Sequence, residues 1–232
     1  MYTLIDENKD FFVIDKNQGV DFHTSVNGES LINHVREMEK EKNLFPVHRL
    51  DRMTSGLILF AKNKQAARRL SLLFQNRQIE KYYLALSDKK PKKSQGLISG
   101  DLERGRRGAW KLLITKVNPA QTHFFSKAYG DGFRLFILRP LTGKTHQLRV
   151  ALKSIGAPVL GDPLYYRGES KKYDRGYLHS YALRFDYMGT SYCYVSLPDN
   201  GIFFKDERFG AALENFKEPW LLKWPERVLD KS

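Results

Sequence analysis

Residues 45–62, with the sequence FPVHRLDRMTSGLILFAK, contain the stretch that decides the fold. The apolar run from Gly56 to Ala61 has the length of a buried strand. Charged and hydroxyl side chains stand directly before it, with Asp51 between two arginines, and Gly56 allows a tight turn at the junction. A buried strand is a rigid base, so we expect it to hold Asp51 at the mouth of a cleft. The alternative is a surface loop capped by a local Asp–Arg pair.

The composition is that of a basic globular protein. Of 232 residues, 41% are hydrophobic and 13% aromatic, enough to bury the core of one large domain or two small ones. The formal net charge of +13 indicates a polyanionic partner, and RNA, DNA or an anionic membrane would satisfy it. No apolar run approaches the roughly 20 residues of a membrane span, and the acidic N-terminus does not resemble a signal peptide. The single cysteine, Cys193, suits a reducing cytoplasm.

The periodicity of apolar residues predicts short strands and capped helices. Strands are predicted at residues 2–5, 11–15, 56–61, 79–86, 121–129, 133–139, 177–187 and 191–197. Helices are predicted at residues 30 to about 40, 63 to about 76, about 145 to 154, and 206–216. Ser30 and Asn63 are the N-caps expected for the first two helices.

Lysine and arginine are concentrated in a segment of about residues 87–116, which we expect to be loop-rich because of Pro91 and several glycines. Arginines mixed with glycines and Trp110 fit a mobile flap that follows RNA phosphates and stacks on a base, although such a run is also typical of a solvated surface. The residues assigned to the RNA backbone are Lys89, Lys90, Lys92, Lys93, Arg104, Arg106 and Arg107.

Residues 142–145, TGKT, suggest a nucleotide-binding phosphate loop, but that motif needs a further glycine where Leu138 stands. A nucleotide hydrolase is therefore not predicted. On the helix that follows, His146, Arg149 and Lys153 share one side, so Arg149 can project into a cleft. No metal site is predicted, because the six histidines show no paired ligand spacing.

Three ordered motifs resemble those of the RluA family of RNA pseudouridine synthases. Residues 47–57, VHRLDRMTSGL, resemble the family signature His-Arg-Leu-Asp-x-x-Thr-Ser-Gly. Residues 81–85, KYYLA, are similar to its Lys-x-Tyr-x-Ala motif. Residues 143–149, GKTHQLR, followed by GDPLY at 161–165, are similar to its Gly-Arg-Thr-His-Gln-Ile-Arg block. The resemblance covers about residues 3–205.

The resemblance implies an enzyme that isomerises uridine in RNA to pseudouridine without a cofactor. It implies that Asp51 is the catalytic carboxylate and acts on a uridine flipped out of its stack. Whether Asp51 attacks the sugar, attacks the ring or abstracts a proton stays open. Arg149 is implied as its partner and would offset the rise in pKa that burial causes in a carboxyl group. Tyr83 is expected to stack on the uracil.

The resemblance also implies a set of substrate-binding residues. Leu178 would form the second wall of the uracil pocket, and Arg49 would occupy the space that the flipped base leaves. Lys144 stands where the family usually has arginine, which keeps the charge but loses a bidentate phosphate contact. Lys81 and His146 complete the set, as members of the second and third motifs.

We therefore expect one catalytic domain over residues 1–232, with a helix and tail at about 206–232 of no assigned function. Its fold class should be α+β, a mixed, largely antiparallel sheet with flanking helices and a central active-site cleft. Only about 45 residues precede the first motif, so no accessory N-terminal RNA-binding domain is expected. The protein should be a cytoplasmic monomer that acts on ribosomal RNA, transfer RNA or both, without a membrane partner.

Two other interpretations share parts of this pattern. A non-catalytic RNA-binding or ribosome-assembly protein on the same fold would have the same basic features, and the complete set of catalytic residues argues against it. A serine hydrolase would use Ser55, either His48 or His146, and Asp51, but no Gly-x-Ser-x-Gly elbow surrounds Ser55.

Overall fold

The computed structural model describes residues 1–22, 30–167 and 170–224. Its strands β1 to β12 are Tyr2–Glu7, Phe11–Lys16, Phe45–Pro46, Ser55–Ala61, Glu80–Ser87, Gln95–Gly100, Leu102–Arg104, Trp110–Leu112, Ala120–Gly130, Phe133–Pro140, Leu178–Tyr187 and Thr190–Val195. Its α-helices α1 to α4 are Leu31–Met38, Lys64–Gln75, Gln147–Ser154 and Glu207–Leu213. Each predicted strand and helix is found within a few residues of its expected bounds. The end of the predicted tail, residues 225–232, lies outside the described residues.

One large sheet organises the described part of the chain. Its main strands follow the order β1-β2-β4-β11-β5-β10-β9-β6, with β3 added to β4 and β12 added to β11. Every pair in it is antiparallel except β4 with β11. The predicted α+β class with a mixed, largely antiparallel sheet is confirmed. No helix in the described ranges is long and apolar enough to cross a membrane.

The apolar run of the deciding stretch is β4, and it is buried along its whole length. It lies between β2 and β11, in the interior of the sheet, which explains an uninterrupted apolar run instead of alternation. The parallel pairing of β4 with β11 is short, because only His179 and Ser180 of β11 face it. Farther along, from Ala182, β11 pairs with β12.

The alternation predicted for β5 places its side chains on the two faces of the sheet. Tyr83 and Ala85 pack into a core shared with residues of α1 and α3. Tyr82, Leu84 and Leu86 pack into a second core that includes residues of α4. Tyr83 therefore lies on the same face of the sheet as the helix that carries Arg149.

The basic segment is more regular than predicted. Instead of loops, it contains β6 at the sheet edge and a separate hairpin of β7 and β8. The glycines there permit close approach of backbones: a Cβ on Gly100 would lie 2.1 Å from the carbonyl oxygen of Leu113. The Asp101 carboxylate also accepts the backbone N–H groups of Val117 and Asn118, at 3.0 and 2.8 Å, and this closes the base of the hairpin.

Candidate active site

The loop that carries Asp51 is attached to the sheet through a histidine just before it. His48 Nε2 accepts a hydrogen bond from the backbone N–H of Leu59 at 2.9 Å, and its ring stacks on Phe74 with centroids 4.5 Å apart. Burial lowers the pKa of His48 to about 3, so the ring is neutral and can accept that bond. The loop is therefore anchored to β4 immediately before Asp51.

A buried lysine holds the other side of the same loop. The Lys16 ammonium donates to the carbonyl oxygens of Asn17, Val20 and Arg52, at 3.0, 3.1 and 3.3 Å. The Lys16 side chain is fully buried, and burial lowers its pKa to about 8. Three carbonyl partners replace its lost water, and the contact with Arg52 fixes the residue directly after Asp51.

Gly56 brings the Asp51 loop against the two strands that form the pocket walls. We expected Gly56 to form a tight turn, but it lies inside β4 with φ of +106°, opposite Ser180 of β11. A Cβ at this position would lie 2.3 Å from the Ser180 carbonyl oxygen, so only glycine fits. Ser180 pairs in turn with Tyr83 of β5. Leu178 precedes this point on β11, and the three strands thus bring Asp51, Tyr83 and Leu178 together.

Helix α3 begins two residues later than predicted because His146 adopts a left-handed conformation, with φ of +53°. The turn before the helix is held by the side chain of Gln147. Its Oε1 accepts from the Thr142 hydroxyl at 2.6 Å and from the Lys144 N–H at 3.0 Å. Its Nε2 donates to the Gln121 carbonyl at 2.9 Å, on the neighbouring strand β9. This turn fixes the start of α3 and therefore the position of Arg149.

Arg149 joins two carboxylates at the centre of the site. Its Nη1 donates to Asp51 Oδ2 at 3.0 Å, while Nε and Nη2 donate to the two oxygens of Asp162 at 2.7 and 2.9 Å. Burial disfavours the charge of Arg149, but the bonds to Asp162 and Asp51 outweigh it and raise its pKa. The predicted proximity of Arg149 and Asp51 is observed.

Asp162 is a site residue that the sequence reasoning did not identify. Its side chain is 0% exposed, and its Oδ1 also accepts the backbone N–H groups of Leu164 and Tyr165, at 2.8 and 3.1 Å. Because Asp162 is fixed by its own turn, it holds Arg149 in a bidentate grip and leaves Nη1 for Asp51. The available signal was its place in GDPLY, the end of the third motif.

Two cavities, of about 1030 and 1170 Å³, meet at Asp51. Both are lined by Arg49, Leu50, Asp51, His146 and Arg149. Asp51 therefore lies where the two cavities adjoin, and not at the closed end of either one.

The other residues that were predicted to bind substrate line the first cavity, the one of about 1030 Å³. It is lined by Lys81, Tyr83, Lys144 and Leu178. Burial raises the pKa of the Tyr83 hydroxyl to about 12, so Tyr83 is neutral. Burial lowers the pKa of Lys81 to about 8, and its ammonium lies 5.7 Å from the centre of the Phe74 ring.

The seven residues assigned to the RNA backbone are not part of this cleft. They are exposed, and none of them lines either cavity. They lie on the segment after β5 and on the β7–β8 hairpin. In that hairpin, the backbone N–H of Trp110 donates to the hydroxyl of Tyr165 at 2.8 Å. Trp224, in the tail to which no function was assigned, contacts Phe125 and also lines the first cavity.

The serine hydrolase interpretation is wrong in its choice of histidine and in its chemistry. Nε2 of His179 donates to the Ser196 carbonyl oxygen at 2.9 Å, so Nδ1 accepts from the Ser55 hydroxyl at 2.8 Å. Neither His48 nor His146 hydrogen-bonds to Ser55. Arg175 donates to Ser55 Oγ at 2.6 Å, and both Ser55 and His179 are buried. Burial lowers the pKa of His179 to about 3, which makes it a poor general base. This cluster connects β4 to β11.

Comparisons with known proteins identify the family of the chain. A sequence model of the RNA pseudouridylate synthase family matches residues 10–154. An uncharacterized RNA pseudouridine synthase of Haemophilus influenzae is 46% identical over 218 residues, covering 94% of this chain and 97% of that protein. The dual-specificity RNA pseudouridine synthase RluA of Escherichia coli is 37% identical over 128 residues, covering 54% of this chain and 58% of that one. The solved structure of human RNA pseudouridylate synthase domain containing 1 superimposes with a TM-score of 0.73 at 28% identity, over 86% of this chain and 84% of that one.

The chain belongs to the RNA pseudouridylate synthase family. Its substrate is RNA, and its activity is the isomerisation of uridine to pseudouridine. The predicted resemblance to the RluA family is confirmed.

Proposed function

We propose that this protein converts specific uridines of structured RNA to pseudouridine, with Asp51 as the catalytic carboxylate on a flipped-out uridine. The observation that carries the proposal is the asymmetric environment of Asp51. Its Oδ2 is bonded to Arg149 at 3.0 Å, whereas no donor among the described residues contacts its Oδ1. The side chain is 22% exposed, at the meeting point of two cavities. One oxygen is held, and the other can reach a ligand.

Arg149 acts on the reaction by holding this carboxylate in place. Its side chain is only 5% exposed, so the ion pair with Asp51 is weakly screened by solvent. Because Asp162 holds the other two guanidinium nitrogens, Arg149 does not need to reorganise when the uridine enters. Such preorganised charge is the most effective form of electrostatic stabilisation in a closed site.

The walls of the first cavity suit a flat, uncharged base. Tyr83 offers a neutral ring for stacking, and Leu178, buried on the adjacent strand, forms the other wall. Extraction of a base from its stack costs a few kcal/mol, which must be offset by contacts inside the site. Arg49 is exposed and lines both cavities, a position that suits insertion into the space left by the base.

The RNA backbone then follows the cleft and the basic surface around it. Inside the cleft, Lys81, Lys144 and His146 are the groups that we assign to the RNA. Outside it, the seven exposed lysine and arginine residues at 89–93 and 104–107 form a surface for more distant phosphates. Ribosomal RNA and transfer RNA are both candidate substrates, and the dual specificity in the name of the Escherichia coli relative supports a range of more than one RNA.

The activity is tested by pseudouridine mapping in RNA from cells that lack the protein, after treatment with purified wild type, Asp51→Asn or Asp88→Asn. Asp88 is the matched control because its side chain is 19% exposed, close to the 22% of Asp51, and it lines neither cavity. Wild type and Asp88→Asn should restore the same pseudouridines, and Asp51→Asn should restore none.

Two outcomes would contradict the proposal in different ways. A folded Asp51→Asn protein that still forms pseudouridine would remove Asp51 from the chemistry. A wild-type protein that binds RNA tightly but modifies none of it would favour the non-catalytic RNA-binding function on the same fold.

The outer basic surface is tested through the salt dependence of binding. If it supplies about five phosphate contacts at a slope of about 0.7 each, RNA affinity should fall roughly a hundredfold between about 50 and 200 mM salt. Replacement of Lys89, Lys90, Lys92 and Lys93 by alanine should weaken binding and flatten that slope. The control replaces four exposed lysines elsewhere, Lys9, Lys40, Lys42 and Lys205, so that net charge changes equally. Equal slopes for the two variants would mean that lysines 89–93 act only through net charge.

A further inference from the structure

We propose that Tyr165 is a positioning residue whose hydroxyl holds His146 in the tautomer that carries its proton on Nε2, and ties the β7–β8 hairpin to the site. The inference rests on the proposed function, because it assigns the form in which His146 meets the RNA. Tyr165 is almost completely buried, and its hydroxyl lies between two partners. The backbone N–H of Trp110 donates to it at 2.8 Å, and Nδ1 of His146 lies 2.9 Å from it.

The direction of the second bond follows from the first. A phenol has one proton to donate, and the Trp110 amide can only donate. Among the described residues, Nδ1 of His146 is the only acceptor that contacts the Tyr165 hydroxyl. The hydroxyl proton therefore goes to Nδ1, which must be unprotonated. Burial, and then the nearby charge of Arg149, lower the pKa of His146, in keeping with a neutral ring. Its proton resides on Nε2.

This tautomer determines what His146 offers to a ligand. Among the described residues, no side chain or backbone group forms a hydrogen bond with Nε2, and His146 lines both cavities at Asp51. An Nε2–H group is a neutral donor, suited to an acceptor oxygen of the RNA. The opposite tautomer would present a lone pair there and repel the same oxygen. The hydroxyl of Tyr165 thus selects a donor without touching the RNA.

The backbone of His146 explains why the ring needs such a support. A residue other than glycine at φ of +53° is in a sparsely populated region, which persists only where the surroundings impose it. The Tyr165 ring serves a separate purpose, because its centre lies 5.0 Å from the Arg149 guanidinium and 5.4 Å from the Lys153 ammonium. Tyr165→Phe keeps that ring and removes only the hydroxyl.

The test compares wild type, Tyr165→Phe and Tyr181→Phe by proton–nitrogen NMR of the imidazole rings, with the His146 signals identified by their loss in His146→Gln. Tyr181 is the matched control, because it is equally buried and its hydroxyl donates to the Lys217 carbonyl, away from both cavities. In wild type, Nε2 of His146 should carry the proton and Nδ1 should show the shift of a hydrogen-bond acceptor.

Tyr165→Phe should move the Nδ1 signal toward that of a free ring nitrogen and accelerate hydrogen exchange of the Trp110 amide. It should also lower kcat/KM about tenfold, the usual size of one hydrogen bond to a ligand. Tyr181→Phe should change none of the three. The inference is overturned if wild type carries the proton on Nδ1, a result that needs no variant to fold, or if the two variants give the same spectra and rates. The spectra require no turnover, so they remain informative even if the proposed activity is not found.

Discussion

Substitution of Asp162 by asparagine should destabilise the protein much more than the same change at Asp51. Asp162 is 0% exposed and accepts two bonds from Arg149, which is itself 5% exposed, so water cannot replace the lost charge. Removal of one partner of such a buried pair typically costs 3–5 kcal/mol. Since Arg149 keeps its bond to Asp51 and asparagine can still accept one bond, we expect about 3 kcal/mol. For a chain of this size that corresponds to a fall in Tm of about 6–12 °C.

Asp51→Asn is the internal comparison. Asp51 accepts a single bond from Arg149 and is 22% exposed, so its substitution should cost only about 1 kcal/mol. Urea denaturation at neutral pH, followed by fluorescence and circular dichroism, measures both costs. Asp162→Asn should also lose kcat/KM because Arg149 is no longer held toward Asp51. A cost at Asp162 no greater than that at Asp51 would refute the view that Asp162 is the anchor of the arginine.

Three further predictions concern the walls and the support of the cleft. Tyr83→Phe should bind RNA with an unpaired target uridine almost as well as wild type, whereas Tyr83→Leu should lose about 1–3 kcal/mol of binding free energy from stacking. Binding titrations measure both, and an equal loss of affinity in the two variants would show that the hydroxyl matters more than the ring. The pKa of His179 is about 3 in the folded protein against about 6.5 in the unfolded protein. The neutral, buried ring of His179 therefore contributes fully to the free energy of unfolding above about pH 6.5, and this contribution is lost as the pH falls. Between about pH 6.5 and 5, wild type should lose roughly 2 kcal/mol of unfolding free energy that His179→Gln does not lose, and parallel pH profiles would count against this. Gly56→Ala should lower the free energy of unfolding by about 3 kcal/mol or more, because it adds a clash with Ser180 to backbone strain. The control Gly132→Ala adds backbone strain alone, since Gly132 has φ of +81° and a Cβ there would have nothing within 4 Å. Similar melting temperatures for the two variants would contradict the steric argument.

The local elements were predictable from the sequence because their signals are local. Ser30 and Asn63 accept the N–H groups of Asn33 and Ala66 as N-caps, and the buried strand β4 follows from its apolar run. The order of strands was not predictable, because pairing between β4 and β11 depends on contacts between distant residues. Nor did local composition distinguish the glycines of β6 and its neighbours from loop glycines, since close backbone approach and turns both require glycine.

In the candidate site, too, the residues within sequence motifs were predictable, whereas those whose role depends on distant contacts were not. The motifs indicated that Asp51, Tyr83 and Arg149 belong together, and the structure brings them to one cleft. Asp162 was missed because its role depends on full burial and on a guanidinium on another element, neither of which composition reveals. Tyr165 was missed for a related reason: an aromatic residue in a turn is usually packing, and its significance here comes from the two partners of its hydroxyl.

The position of β11 in the sheet has a consequence for how the protein is made. Without β11, the strand order divides into β1-β2-β4 and β5-β10-β9-β6, two smaller sheets that share no paired edge. Ser55 and His179, which meet where β11 joins β4, are 124 positions apart in the chain. During translation, both half-sheets emerge before the strand that unites them. The inner edge of β5 is then unpaired, and that of β4 is covered only at one end, where β3 pairs with Phe60 and Ala61. Closure over such a separation is slow, so we expect the cleft to be completed only when β11, in the last quarter of the chain, inserts between the two half-sheets.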